Sequence, residues 1–234
     1  AHSFDAVGWF ANAPGVFRKV GPVLLGGTST AADIARLVML DDACAEADSA
    51  VAALMNEALA AMAAELPAPS HQRIAPDGLD TWREAFRIIQ SREIWSVYGD
   101  FVTRTKPQFG PGVAERFAAA ATVTEEMAAK ARVMQERARD RIRSIAQPGT
   151  LLVLPTSPAI APRADAPHAE HEWFRTRAMR MTCIAGLSGL PQLSIPMGTI
   201  EGCPVGLSFI GWAGGDETLL DLAVRLSRYC GMAA

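Results

Sequence analysis

Short apolar runs bounded by turn residues alternate along this chain with longer stretches in which apolar positions recur every three or four residues. The first pattern predicts buried strands and the second amphipathic helices. Residues 14–25 predict a short helix with Pro14 in its first turn, and Arg36–Leu40 a strand ending at Asp41 and Asp42. Val51, Leu54, Ala58 and Met62 predict a helix that stops before Pro67. The stretch from Leu66 to Gly78 holds three prolines and reads as loop with room for one short strand. From Asp80 a helix presents Trp82, Phe86, Ile89, Ile94, Val97 and Phe101, breaking at Lys106-Pro107 before the turn Gly110-Pro111-Gly112.

The second half repeats the alternation. Helix restarts near Thr124, with Glu125 and Glu126 favourably placed against its dipole. Met127, Ala131, Met134, Ala138, Ile142 and Ile145 form its predicted apolar stripe, which ends at Pro148-Gly149. Leu151–Leu154 reads as a buried strand, residues 173–188 as helix, and Gln192–Ile195 and Val205–Ile210 as strands around a Gly/Pro turn. Asp216 is the predicted N-cap of a last helix carrying Leu219, Leu222, Ala223 and Leu226. Strands interleaved with helices predict an α/β fold, a mixed sheet covered by helices.

Composition narrows the classes. Half of the 234 residues are hydrophobic and 20% are charged, which excludes a disordered chain and leaves enough apolar surface for a core. A net charge of -3 gives no footprint for nucleic acid. The basic run from Lys130 to Arg143 is interrupted by Glu136 and Asp140 and reads as a solvated helix face. No apolar run reaches the roughly 20 residues of a membrane-spanning helix, so no membrane partner is expected. Cys44, Cys183, Cys203 and Cys230 lack the close pairs of zinc or redox sites and point to a reducing, cytoplasmic setting. The chain opens on Ala1 with no initiator Met, which suggests a truncated or cleaved start.

Candidate chemistry within the chain is thin. His168 and His171 are three apart, not the four of a metal-binding helix, and read as a polar loop or helix start. Gly186-Leu187-Ser188-Gly189 is one residue short of a nucleophile elbow. Gly26-Gly27-Thr28-Ser29 lacks the Lys of a phosphate loop and reads as loop.

Two groups of motifs carry more. Ser3-Phe4-Asp5-Ala6-Val7-Gly8-Trp9-Phe10-Ala11 is one. The other runs through Leu154-Pro155-Thr156-Ser157-Pro158, Thr182, Ser188-Gly189-Leu190-Pro191, Ser194-Ile195-Pro196-Met197-Gly198 and Gly202-Cys203-Pro204-Val205-Gly206-Leu207. It continues at Gly211 and Asp216-Glu217-Thr218-Leu219-Leu220 and ends at Ala223. In this order they resemble the C-terminal half of an amidase-signature hydrolase, over nearly the whole chain. Trp9-Phe10-Ala11, Gln90 with Glu93, Lys106-Pro107 and Cys183-Ile184-Ala185-Gly186 resemble the indole-3-acetamide amidohydrolase branch most, as does Ser208 where a Gln is common.

The resemblance implies a Ser–cis-Ser–Lys triad that needs no metal or cofactor. It places that triad upstream of this chain, so residues 1–234 are expected to be the C-terminal part of a single amidase domain. Lys19, Lys106 and Lys130 do not sit at the family's catalytic position, and no catalytic residue is carried over. Thr156, Ser157, Met179, Thr182 and Cys183 are the expected substrate-pocket residues. Met179 stands where amidotransferase relatives carry an Asp, which favours a small neutral aromatic or aliphatic primary amide. The expected partners are that amide and the missing N-terminal half, and the resemblance leaves room for a homodimer. The alternative is a non-catalytic amidase-like binding or receptor module.

Overall fold

The computed structural model describes residues 1–26, 31–110 and 112–230. Five strands form one sheet: β1 (Arg36–Leu40), β2 (Pro69–Gln72), β3 (Thr150–Pro155), β4 (Gln192–Ile200) and β5 (Cys203–Ile210). Their order is β2-β1-β3-β5-β4, with β1 parallel to both β2 and β3. β5 runs antiparallel to β3 and to β4. β3 sits at the centre and is buried at every position, because both faces of the sheet are covered there.

Each face carries its own core. Leu37, Met39, Leu151, Val153, Leu193, Ile195, Leu207 and Phe209 pack beneath α3 (Ser49–Ala61) and α8 (Asp216–Leu226). Val38, Leu40, Leu152, Leu154 and Ile210 face the other way, as the two-residue period of strands requires. That second face is covered by α4 (Leu79–Thr105), α6 (Glu125–Ile145) and α7 (His168–Ser188). Small side chains bring the helices close: Ala131 of α6 meets Ala85 and Ile89 of α4. α1 (Pro14–Leu25) packs on α8, where a Cβ on Gly21 would fall 2.3 Å from the Leu220 side chain. Two short α-helices, α2 (Asp41–Cys44) and α5 (Val113–Ala121), and two 3-10 turns, His2–Phe4 and Ser227–Tyr229, complete the described elements.

The predicted elements are all present, with local differences of clear origin. Asp216 is the first residue of α8 and not its cap; Gly215 precedes the helix and no side chain caps it. Ala128, not Met127, is buried on α6; Met127 is exposed in the first turn, where its N–H donates to the capping Thr124 hydroxyl. α7 begins at His168, five residues before the expected start. Val97 and Phe101 are exposed, and beyond Glu93 only Gly99 of α4 is buried. Gly27, Thr28 and Ser29 of the glycine-rich run and Pro111 of the turn lie outside the described residues.

Candidate functional site

α4, α5 and α7 enclose a cavity of about 410 Å³. Met179 lines it, with Ile94, Val113 and Phe117 adding apolar wall and Gln90 and Thr176 adding amide and hydroxyl groups. Arginines also line it, two of them already engaged. Arg87 holds Glu84 through two bonds of 2.8 and 2.6 Å, and Arg83 donates to Asp80 at 2.9 Å. Each of these two cations is thereby paired with a carboxylate. Arg116 and Arg175 line the cavity too, the latter 3.9 Å from Glu172.

The five expected pocket residues do not converge. Thr182, one turn on from Met179, is exposed and its hydroxyl returns to the Ala178 carbonyl at 2.9 Å. Cys183 lies on the sheet side of α7, buried with Met181, Ile184 and Leu187. Burial pushes its thiol up to about 12, so it stays protonated and acts as a small apolar group. Ser157 donates to the Ala159 carbonyl at 2.9 Å and closes a turn.

Thr156 joins a cluster that the sequence did not announce. Its Oγ1 lies 2.8 Å from Ser208 Oγ and 3.1 Å from Ser194 Oγ, and the two serines are 2.7 Å apart. Gln192 Nε2 donates to Ser208 Oγ at 3.0 Å. If the three hydroxyls donate around the ring, every O–H is used and the open capacity left on Thr156 and Ser194 is for accepting. Gln192 and Ser194 alternate with buried Leu193 and Ile195, a period of two that marks the polar face of β4.

A second cavity of about 640 Å³ lies between residues 3–9, the end of α7 and the start of α8. Its N-terminal wall is held by Glu93, a buried carboxylate in mid α4. Glu93 accepts from the Ser3 N–H at 3.1 Å and from the Ser3 hydroxyl, and Phe4 stacks on Phe86 with centroids 4.1 Å apart. At the carboxyl end of β1, Asp42 accepts from the N–H groups of Ile74 and Ala75 at 3.1 and 2.8 Å, tying the chain after β2 to the sheet.

Ser188 of the near-elbow motif is fully buried and donates to the Ala185 carbonyl at 3.0 Å, while Arg143 donates to the Ser188 carbonyl at 2.9 Å. That is helix-end packing. His168 and His171 fall in the first turn of α7, His168 on the rim of the smaller cavity. Among the described residues no three His, Cys, Asp or Glu side chains come together, and no helix is long and apolar enough to cross a membrane.

A mixed sheet between two helical layers, with a cavity in one of them, defines an α/β fold. The chain belongs to the amidase family, whose model, described as Amidase, matches residues 35–220. It is 28% identical to "Amidase 1" of Arabidopsis thaliana over 98% of its own length and 61% of that protein. It is 27% identical to "Outer envelope protein 64, chloroplastic" of the same plant over 94% of the chain and 42% of that protein. The fold matches a crystal structure of an amidase with a TM-score of 0.79 at 20% identity, across 94% of this chain and 51% of that one. The likeness to the indole-3-acetamide branch is partial: "Indoleacetamide hydrolase" of Pseudomonas savastanoi is 37% identical over 35% of this chain and 17% of that protein. The chain thus spans from about two fifths to three fifths of the two plant relatives.

Proposed function

We propose that this chain is the C-terminal part of a single-domain carboxamide hydrolase that takes a small neutral aromatic or aliphatic primary amide. The nucleophile, second serine and lysine would come from sequence preceding Ala1, and no resident metal or cofactor is assigned. The observation that carries the reading is Met179 on the wall of the cavity between α4, α5 and α7, in a chain matched by the amidase model. A thioether fills space against an apolar or aromatic group and gives an ammonium no partner. Of the five expected pocket residues only Met179 is assigned to this cavity wall, since Thr156, Ser157, Thr182 and Cys183 lie outside its lining. The four free thiols support a reducing, cytoplasmic setting.

The test is ammonia release from indole-3-acetamide, benzamide and glutamine. It compares the 234-residue chain with the protein of the full reading frame. The expected result is none from the chain and a preference for the aromatic amides from the full frame. Turnover by the chain alone, abolished by replacing a serine within it, would place the nucleophile here and overturn the reading.

A second reading is favoured by the relatives named for the outer envelope. Besides the chloroplastic protein, "Translocon at the outer membrane of chloroplasts 64" of Pisum sativum is 24% identical over 94% of the chain. On that reading the chain belongs to a non-catalytic amidase-like receptor module. A full reading frame that lacks the lysine and the Gly/Ser-rich loop, and releases no ammonia, would select it.

A further inference from the structure

The wall of the smaller cavity contributed by α7 is not fixed by the core. From residue 168 to 180 no side chain is buried; burial begins at Met181. Yet this half of the helix supplies His168, Glu172, Arg175, Thr176 and Met179 to the cavity. What holds it in place is charge. Arg180 donates to both oxygens of Asp80, Nε to Oδ1 at 3.0 Å and a terminal nitrogen to Oδ2 at 2.9 Å, and also to Glu46 at 3.1 Å. Arg177 donates to Asp48 at 2.9 Å and to the Glu46 carbonyl, with its guanidinium 4.1 Å over the Trp173 ring.

Asp80 belongs to the facing helix and is shared. Its Oδ1 also accepts from Arg83 Nε at 2.9 Å, and Arg83 lines the same cavity from the α4 side. One carboxylate therefore joins the two walls. We propose that Asp80 is a positioning residue, which sets the spacing between the α4 and α7 walls by holding Arg83 and Arg180 together.

An isolated exposed ion pair contributes little. This one differs in being two-pronged, in being shared, and in serving a helix half in which no apolar side chain is fully buried. The Asp80 carboxyl is held down at about 2, first by the Arg180 hydrogen bond and then by that of Arg83, as a carboxylate kept ionised by both walls should be.

The activity arm of the test rests on the cavity being the substrate site; the exchange arm does not. Amide hydrogen exchange is measured on the protein of the full reading frame as wild type, Asp80→Asn and Asp80→Glu. Asp80→Asn should speed exchange over residues 168–180 about tenfold and leave β3 unchanged, and Asp80→Glu should restore most of the protection. For indole-3-acetamide, Asp80→Asn should raise KM about tenfold with kcat within about twofold. Unchanged exchange over 168–180, or an equal rise in β3, overturns the proposal, as does a fall in kcat at constant KM. A wild type that releases no ammonia removes the proposed function, and the exchange result then decides the Asp80 role alone.

Discussion

A Cβ on Gly206 would stand 2.8 Å from Thr156 Oγ1, 3.1 Å from Thr156 Cβ and 3.2 Å from the Ile195 carbonyl. β5 thus leaves room for Thr156 to reach Ser194 and Ser208, and Gly206→Ala would push it away. The expected cost is about 1–3 kcal/mol, the range for adding a methyl to a packed site, read as a lower urea midpoint. Unchanged stability would mean that Thr156 is free to move and that the hydroxyl cluster is incidental. Met179 poses a different question, whether the wall selects by polarity or by size. Burying an unpaired charge costs several kcal/mol, whereas one methylene more or less is worth about 1–3. Met179→Asp should therefore depress kcat/KM for indole-3-acetamide far more than Met179→Leu does. Equal losses for the two variants, or a wild-type preference for glutamine, would remove Met179 from the substrate wall.

Among the elements, α7 shows both what periodicity reveals and where it stops. Met181, Ile184, Leu187 and buried Ser188 follow the helical repeat, within the helix expected over residues 173–188. Residues 168–172 are polar, carry no such repeat and were left out of the predicted helix, although they hang over the cavity. The ion pairs that tie down this half of the helix run from Arg177 and Arg180 to residues 48, 46 and 80, distant in sequence, which no spacing rule joins. The strands were legible from their apolar runs, and β3 most clearly because both its faces are covered. The polar ring of Thr156, Ser194 and Ser208 was not, since it needs the antiparallel register that sets Ser194 beside Ser208. The anchor has a definite acid limit. The folded-state pKa of Asp80 is lowered from 3.8 to about 2, so its contribution is complete above pH 3.8 and is lost as pH falls through about 2. The stability difference between wild type and Asp80→Asn should follow that window. Asp80 is more than half exposed, so the difference should also shrink in high salt. A difference that stays constant from pH 6 to pH 2 would show that the carboxylate charge is not what holds α7.

At the scale of the molecule, the sheet has two unlike edges. β2 has four residues and starts at Pro69, so it offers little to pair with. β4 has nine, with Pro196 and a register shift at Pro196/Gly198 interrupting its outer ladder. Gln192 and Ser194 point from its uncovered face, and elsewhere Phe10 is fully exposed while Val7, Val16 and Val23 are more than half so. A free edge of this length together with exposed apolar side chains favours association. The 234-residue chain alone should therefore sediment as species larger than a monomer at about 10 μM, a concentration at which exposed edges and apolar surface commonly drive association. Two variants separate the causes. Thr199→Lys places a charge on the exposed side of β4, and Phe10→Ser removes the most exposed aromatic ring without touching the sheet. If the edge drives association, the lysine variant should return the chain to a monomer and the serine variant should not. If both remain associated, another surface is responsible. A wild-type chain that is monodisperse and melts cooperatively as a monomer would show that Pro196 and the register shift suffice to protect β4, and that the sheet needs no further strand beside it.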